Sequence, residues 1–165
     1  MRTLPAALLI ALVALASCKK LTGTDGGSCG KGETANADPP FCYKVPSGFT
    51  QRGEPARRAG WFSIAYGDEG KGKVSFIARD LASFDSTWKG LQGNPKGARA
   101  TDAKEEDFAD GKGKILTYST PEKDPKHIVS VVLLGAKNTL ECEAEYRASA
   151  PLPELLEACK SIHEP

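Results

Sequence analysis

The sequence predicts an α+β domain built on a mostly antiparallel β-sheet with two packed helices, stapled by disulfides. Three observations predict it. Apolar residues alternate at period two over residues 61–79 and again over 128–147; two stretches carry apolar stripes at helical spacing; and an even set of cysteines follows an export signal. The chain has 165 residues, of which those after the signal suit one domain with one core.

At the N-terminus, Met1 to Thr3 carry one positive charge, Arg2, and Leu4 to Ala16 is an unbroken apolar run. That run is too short to cross a ~30 Å hydrocarbon core as a helix and reads as a secretory signal over residues 1–17. Leu15-Ala16-Ser17-Cys18 resembles the lipobox of bacterial lipoproteins, in which a leucine and two small residues precede the cysteine that is lipidated before cleavage. The resemblance implies that Cys18 becomes the first residue of the mature chain and carries a thioether diacylglycerol and, usually, an N-acyl group. At about 0.8 kcal/mol per buried CH₂, more than one chain anchors stably. The position after the cysteine is Lys19 rather than Asp, which resembles the outer-membrane sorting pattern of enteric bacteria. The expected address is therefore the cell envelope, lipid-anchored, with the outer membrane favoured and the domain facing the periplasm or the surface.

Lys+Arg number 22 against Asp+Glu 21, and losing Arg2 with the signal leaves 21 against 21. With no block of like charge beyond a few residues, the basic footprint of a nucleic-acid binder is missing, so no nucleic-acid partner is expected. The expected partners are the membrane, through lipid on Cys18, and an envelope protein. Of the five cysteines, Cys29, Cys42, Cys142 and Cys159 remain after Cys18. In an exported chain they read as two disulfides; three pairings are possible, and proximity favours Cys29 with Cys42 and Cys142 with Cys159. No CxxC pair supports a zinc site, and no metal or cofactor is expected.

Lys19 to about Pro40 is rich in Gly, Thr, Ser, Asp and Pro and reads as a flexible tether, giving a lipidated tether over 18–40 and a single domain over 41–165. Phe41 to Val45 reads as a short strand ended by Pro46-Ser47-Gly48. Trp61 to Gly67 and Val74 to Arg79 form a hairpin across a glycine-rich turn. Ser83 is placed to cap a helix whose Phe84, Trp88 and Leu91 form one stripe, closed by Gly93. Asn94 to Ala103 reads as a loop, Asp110-Gly111 as a turn, and Lys114 to Ser119 as a strand. Beyond the loop Pro121 to Lys126, the apolar run from His127 to Gly135 is a strand that turns at Lys137-Asn138 into Thr139 to Arg147. In this last strand Leu140, Cys142, Ala144 and Tyr146 face the core, while Glu141, Glu143, Glu145 and Arg147 face water. Leu152 to His163 is the second helix, with Leu152, Leu155, Leu156, Cys159 and Ile162 on one stripe. Cys142 and Cys159 thus both point inward, within reach of one bridge.

Tyr43-Lys44-Val45-Pro46-Ser47-Gly48-Phe49, the paired strands, the Phe84/Trp88 helix and the terminal Leu155-Leu156 helix together resemble the PsbP/DcrB-like domains over about residues 41 to 165. The resemblance implies an α-β-α sandwich and an accessory, assembly or binding role. It transfers no catalytic set.

The residues themselves give little chemistry. His127 opens a strand and His163 closes a helix, too far apart in the chain to form a recognisable set, and neither Ser130 nor Ser161 sits in a Gly-x-Ser-x-Gly elbow. Gly67 to Lys73 lacks phosphate-loop spacing, and Asp110 to Lys114 puts lysines where calcium needs oxygens, so both read as turns. Glu141, Glu143 and Glu145 form an acidic row able to hold a cation only if neighbouring strands add no lysines; Glu105-Glu106-Asp107 reads as solvated loop. The expected function is a non-enzymatic, membrane-anchored accessory or binding module. An envelope hydrolase, revived by a polar pocket that joins His127 to a carboxylate, and small-molecule binding behind Trp61 or Trp88 are the alternatives.

Overall fold

The structure is a computed structural model that describes residues 28–93, 103–121, 123–147 and 152–165. The signal, Cys18, the tether up to residue 27 and nearly all of the loop expected over Asn94 to Ala103 lie outside the described residues. Ten strands and two α-helices are described, in the order β1 (Thr34–Ala37), β2 (Pro40–Tyr43), β3 (Thr50–Gln51), β4 (Ala56–Arg58), β5 (Trp61–Asp68), β6 (Gly72–Asp80), α1 (Phe84–Gln92), β7 (Lys104–Phe108), β8 (Gly113–Ser119), β9 (Lys126–Leu134), β10 (Asn138–Arg147) and α2 (Leu152–Lys160). β1 and β2 form a two-stranded sheet, and the remaining eight form a second in the order β3-β5-β6-β10-β9-β8-β7, with β4 also paired to β5. Every strand pair is antiparallel.

Side-chain alternation assigns the two faces. On one, Phe62 of β5, Phe76 of β6, Cys142 of β10, Val131 of β9 and Ile115 of β8 form a single core with Leu155, Ala158, Cys159 and Ile162 at the α2 end and with Phe41 and Tyr43 from β2. Their neighbours point the other way, and Val132 and Leu116 join Ile128 and Tyr118 beneath Trp88 of α1. The two helices therefore pack on opposite faces. α1 covers only the β8–β9 part of its face; Trp88 is its buried residue, with Phe84 and Leu91 at the edge of the cluster.

Both disulfides pair as proximity predicts. Cys29–Cys42 spans a separation of 13 residues and Cys142–Cys159 one of 17. The second ties α2 to the sheet, as the shared inward face of the two cysteines requires.

Several boundaries differ from the sequence reading, each for a physical reason. The stretch read as tether contains a strand: Thr34–Ala37 pairs with Pro40–Tyr43 in register Thr34 to Tyr43, and the Cys29–Cys42 bridge ties the residues before it to β2. A polar strand held by a disulfide and a neighbouring backbone gives no hydrophobic signal. Likewise Glu105-Glu106-Asp107 is not loop; it forms most of β7, an exposed edge strand against β8. α2 stops at Lys160, and His163 lies past it in a bridge with Cys42, donating its N–H to the Cys42 carbonyl at 3.1 Å and accepting from the Cys42 N–H at 2.8 Å. Ser83 does precede α1, but its hydroxyl donates to the Asp80 carbonyl at 2.5 Å and makes no cap bond.

Candidate functional site

The outward row of β10 is not simply a solvated face. Glu141 is 5% exposed and accepts a hydrogen bond from Arg79 Nε at 2.9 Å. Glu145 takes Lys126 Nζ on one oxygen at 2.8 Å and Lys73 Nζ on the other at 3.1 Å. Burial disfavours its charged form, but hydrogen bonds from Lys126 and Lys73 outweigh that and hold its carboxyl below the ordinary range. The register explains the cations: Lys73 sits directly opposite Glu145, while Arg79 is the diagonal neighbour of Glu141. The condition for a cation site, that neighbouring strands add no lysines, fails.

His127 is the second residue of β9, with its ring stacked on Tyr146, centroids 5.0 Å apart, and Nδ1 2.9 Å from Ser119 Oγ. The pair borders a shallow cleft of about 190 Å³ with Thr117, Tyr118 and Lys104. Among the described residues no carboxylate lies within hydrogen-bonding distance of His127. Ser130 is buried and its hydroxyl has no partner, so it is no nucleophile presented to a substrate; Ser161 donates to the Ala158 carbonyl and accepts from the Lys44 N–H. His163 Nε2 lies 3.7 Å from Glu33, beside the Cys29–Cys42 bridge rather than in a pocket. Cys29, Glu33 and Cys42 cluster closely enough to suggest a metal site, but both sulfurs are consumed by the disulfide.

The glycine-rich segment after β5 is a hairpin turn, with Lys71 donating to the Ser47 carbonyl at 3.1 Å, and Ala109–Gly111 is a short turn entering β8. Neither makes a phosphate or calcium loop.

Two arginine–aromatic contacts lie at the other end of the β5–β6 hairpin. Arg58, Trp61 and Arg79 are register partners across β4, β5 and β6, so they stand in a row on one face of the sheet. The Arg58 guanidinium lies 5.8 Å from the Trp61 ring centroid, and Arg57, on the opposite face, lies 4.7 Å from that of Phe62. A groove of about 250 Å³ lies at this end of the sheet, bordered by the Asp38–Pro39 hairpin tip, by Arg57 and Phe62 on the face opposite the Trp61 ring, and by Asp80 and Asn138 of that same face. Sequence reading named Trp61 as a possible cavity wall and missed Arg58 beside it, because β4 is too short to show a period. Trp88, the other tryptophan considered, is core.

No family model matches this chain, and no curated protein does. A solved crystal structure from Bacteroides thetaiotaomicron is similar, with 14% identity and a TM-score of 0.49 over 76% of this chain. The match spans 45% of that longer chain.

Proposed function

We propose that this protein is a lipid-anchored lipoprotein of the bacterial envelope, attached through Cys18 and acting as a non-enzymatic accessory or binding module. The observation that carries the reading is the use of cysteine. Four of the five form two disulfides, which belong to an oxidising compartment, and the one left over sits in the lipobox. Helices on opposite faces of one sheet support the PsbP/DcrB-like sandwich as its architecture, and Lys19 supports the outer membrane as its address. Membrane fractionation of cells carrying the native chain and Cys18→Ala tests the anchor. The native chain is expected to pellet with membranes and the variant to accumulate as soluble or uncleaved precursor. A native chain recovered in the soluble fraction would overturn the proposal.

The Ser119–His127 contact is the observation behind a second reading, an envelope hydrolase, which would have to work without the carboxylate that reading called for at His127. A fluorophosphonate probe separates the two. The binding-module reading expects no labelling; labelling lost in both Ser119→Ala and His127→Ala would establish the hydrolase.

A further inference from the structure

We propose that the end of the sheet carrying Trp61, Leu81 and Leu134 rests on the phospholipid surface to which Cys18 is anchored, with the indole and the two leucines at the headgroup level. This contact goes beyond the accessory-module reading and rests on its lipid anchor.

Strand register brings the three residues to one place. Trp61 of β5 is opposite Arg79 of β6, Arg79 opposite Thr139 of β10, and Thr139 opposite Leu134 of β9, so one row crosses four strands on the α1 face. Leu81 joins that row: it follows β6, and its carbonyl accepts the buried Thr139 hydroxyl at 3.0 Å. Leu81 is 41% exposed and Leu134 38%, and they are the exposed large hydrophobics among the described residues. The row from β5 to β9 covers three strand spacings, about 14 Å. A solitary exposed leucine needs no explanation, but two in line with a tryptophan mark a contact surface.

The tether enters at this same end. Cys29 is bonded to Cys42, Cys42 pairs its backbone with His163, and the next residue, Glu164, accepts the N–H groups of Ala136, Lys137 and Asn138 in the turn that follows Leu134. Residues 19 to 28 alone separate Cys18 from Cys29, so the first bridge stands no more than about 40 Å from the lipid. A tether that short gives a millimolar effective concentration, at which a contact with a free Kd of about 1 mM is made roughly half the time. The chemistry suits a bilayer interface. Tryptophan is an amphipathic ring that favours the headgroup level, and Arg58, 5.8 Å from its centroid, can lay its stem on apolar surface while its charge reaches phosphate. Arg57 is paired with Asp38 and Arg79 with Glu141, and the remaining exposed charges balance, with Arg58, Lys112 and Lys137 against Asp80, Asp85 and Asp110. The apolar row therefore decides the contact, and net-neutral lipid suffices.

The test uses the full chain, exported in a bacterial host, purified and reconstituted in phosphatidylcholine vesicles whose acyl chains are either plain or brominated near the headgroup. Bromine quenches an indole only at close approach, and Trp61→Phe gives the share of the buried Trp88. The emission of Trp61, native minus Trp61→Phe, should fall by about half in brominated vesicles. Leu81→Asp combined with Leu134→Asp should abolish most of that fall and leave the melting temperature near the native value, since both side chains are exposed. If the double variant melts lower, each single variant is read in its place. Equal emission in brominated and plain vesicles, an undiminished fall in the leucine variants, or a cross-linked dimer whose Trp61 is unquenched would overturn the proposal. Flotation of the same vesicles reads the anchor separately: a chain that floats without quenching sinks the docking alone, and one that stays behind sinks the anchor with it.

Discussion

Arg79 Nε donates to Glu141 Oε2 at 2.9 Å across the β6–β10 pair, and the carboxylate it meets is only 6% exposed. A buried carboxylate without its cation is far more costly than the pair is stabilising. Arg79→Met should therefore destabilise the domain by about 2–3 kcal/mol, below the ~3–5 of a fully buried pair because Arg79 itself is one-third exposed. Adding Glu141→Leu should recover much of that loss. Denaturant melts of the two single variants and the double close the cycle, and strict additivity would show that the contact contributes no coupling.

Glu145 gives the domain an acid sensitivity with a defined sign. Its folded carboxyl lies below its ordinary value of 4.5, so the folded chain binds this proton less tightly than the unfolded one. The stabilisation from Lys126 and Lys73 is complete above that unfolded value and is lost as pH falls through the folded one. Thermal melts between pH 7 and pH 3 should show a decline beginning below about 4.5, shallower in Glu145→Gln. Equal slopes in the two proteins would contradict it.

The Cys142–Cys159 bridge closes a loop worth about 3 kcal/mol in the chain-entropy view. Replacing both by serine should lower the melting temperature by about 10 °C for a chain of this size, read by calorimetry. A shift of a degree or two would mean that α2 docks through Leu155, Ala158 and Ile162 alone.

Ser130 points into the α1-side core region with its hydroxyl unpaired. A buried hydroxyl without a partner costs about 1–3 kcal/mol relative to a satisfied one, so Ser130→Ala should raise stability by about 1 kcal/mol. A loss of stability in urea melts would reveal a hydrogen bond that this geometry lacks.

Elements with a hydrophobic period were legible. The β5–β6 hairpin, β9, β10 and the start of α1 follow from alternation and stripe, and both disulfides from spacing and shared inward faces. Elements held by other means were not. β1 is polar and stapled, β7 is a charged edge strand, and β4 is three residues long. The acidic face of β10 was misread for a related reason: its burial and pairing depend on Arg79, Lys73 and Lys126, which lie on other strands. The groove at that end of the β5–β6 hairpin likewise exists only after β4, β5, β6 and the first hairpin meet.

Attachment through Cys18 is read out by labelling with radioactive palmitate in growing cells. The native chain should take up label that survives boiling in detergent, and Cys18→Ala should take up none, with its signal uncleaved. Label retained by Cys18→Ala, or absent from the native chain, would contradict it.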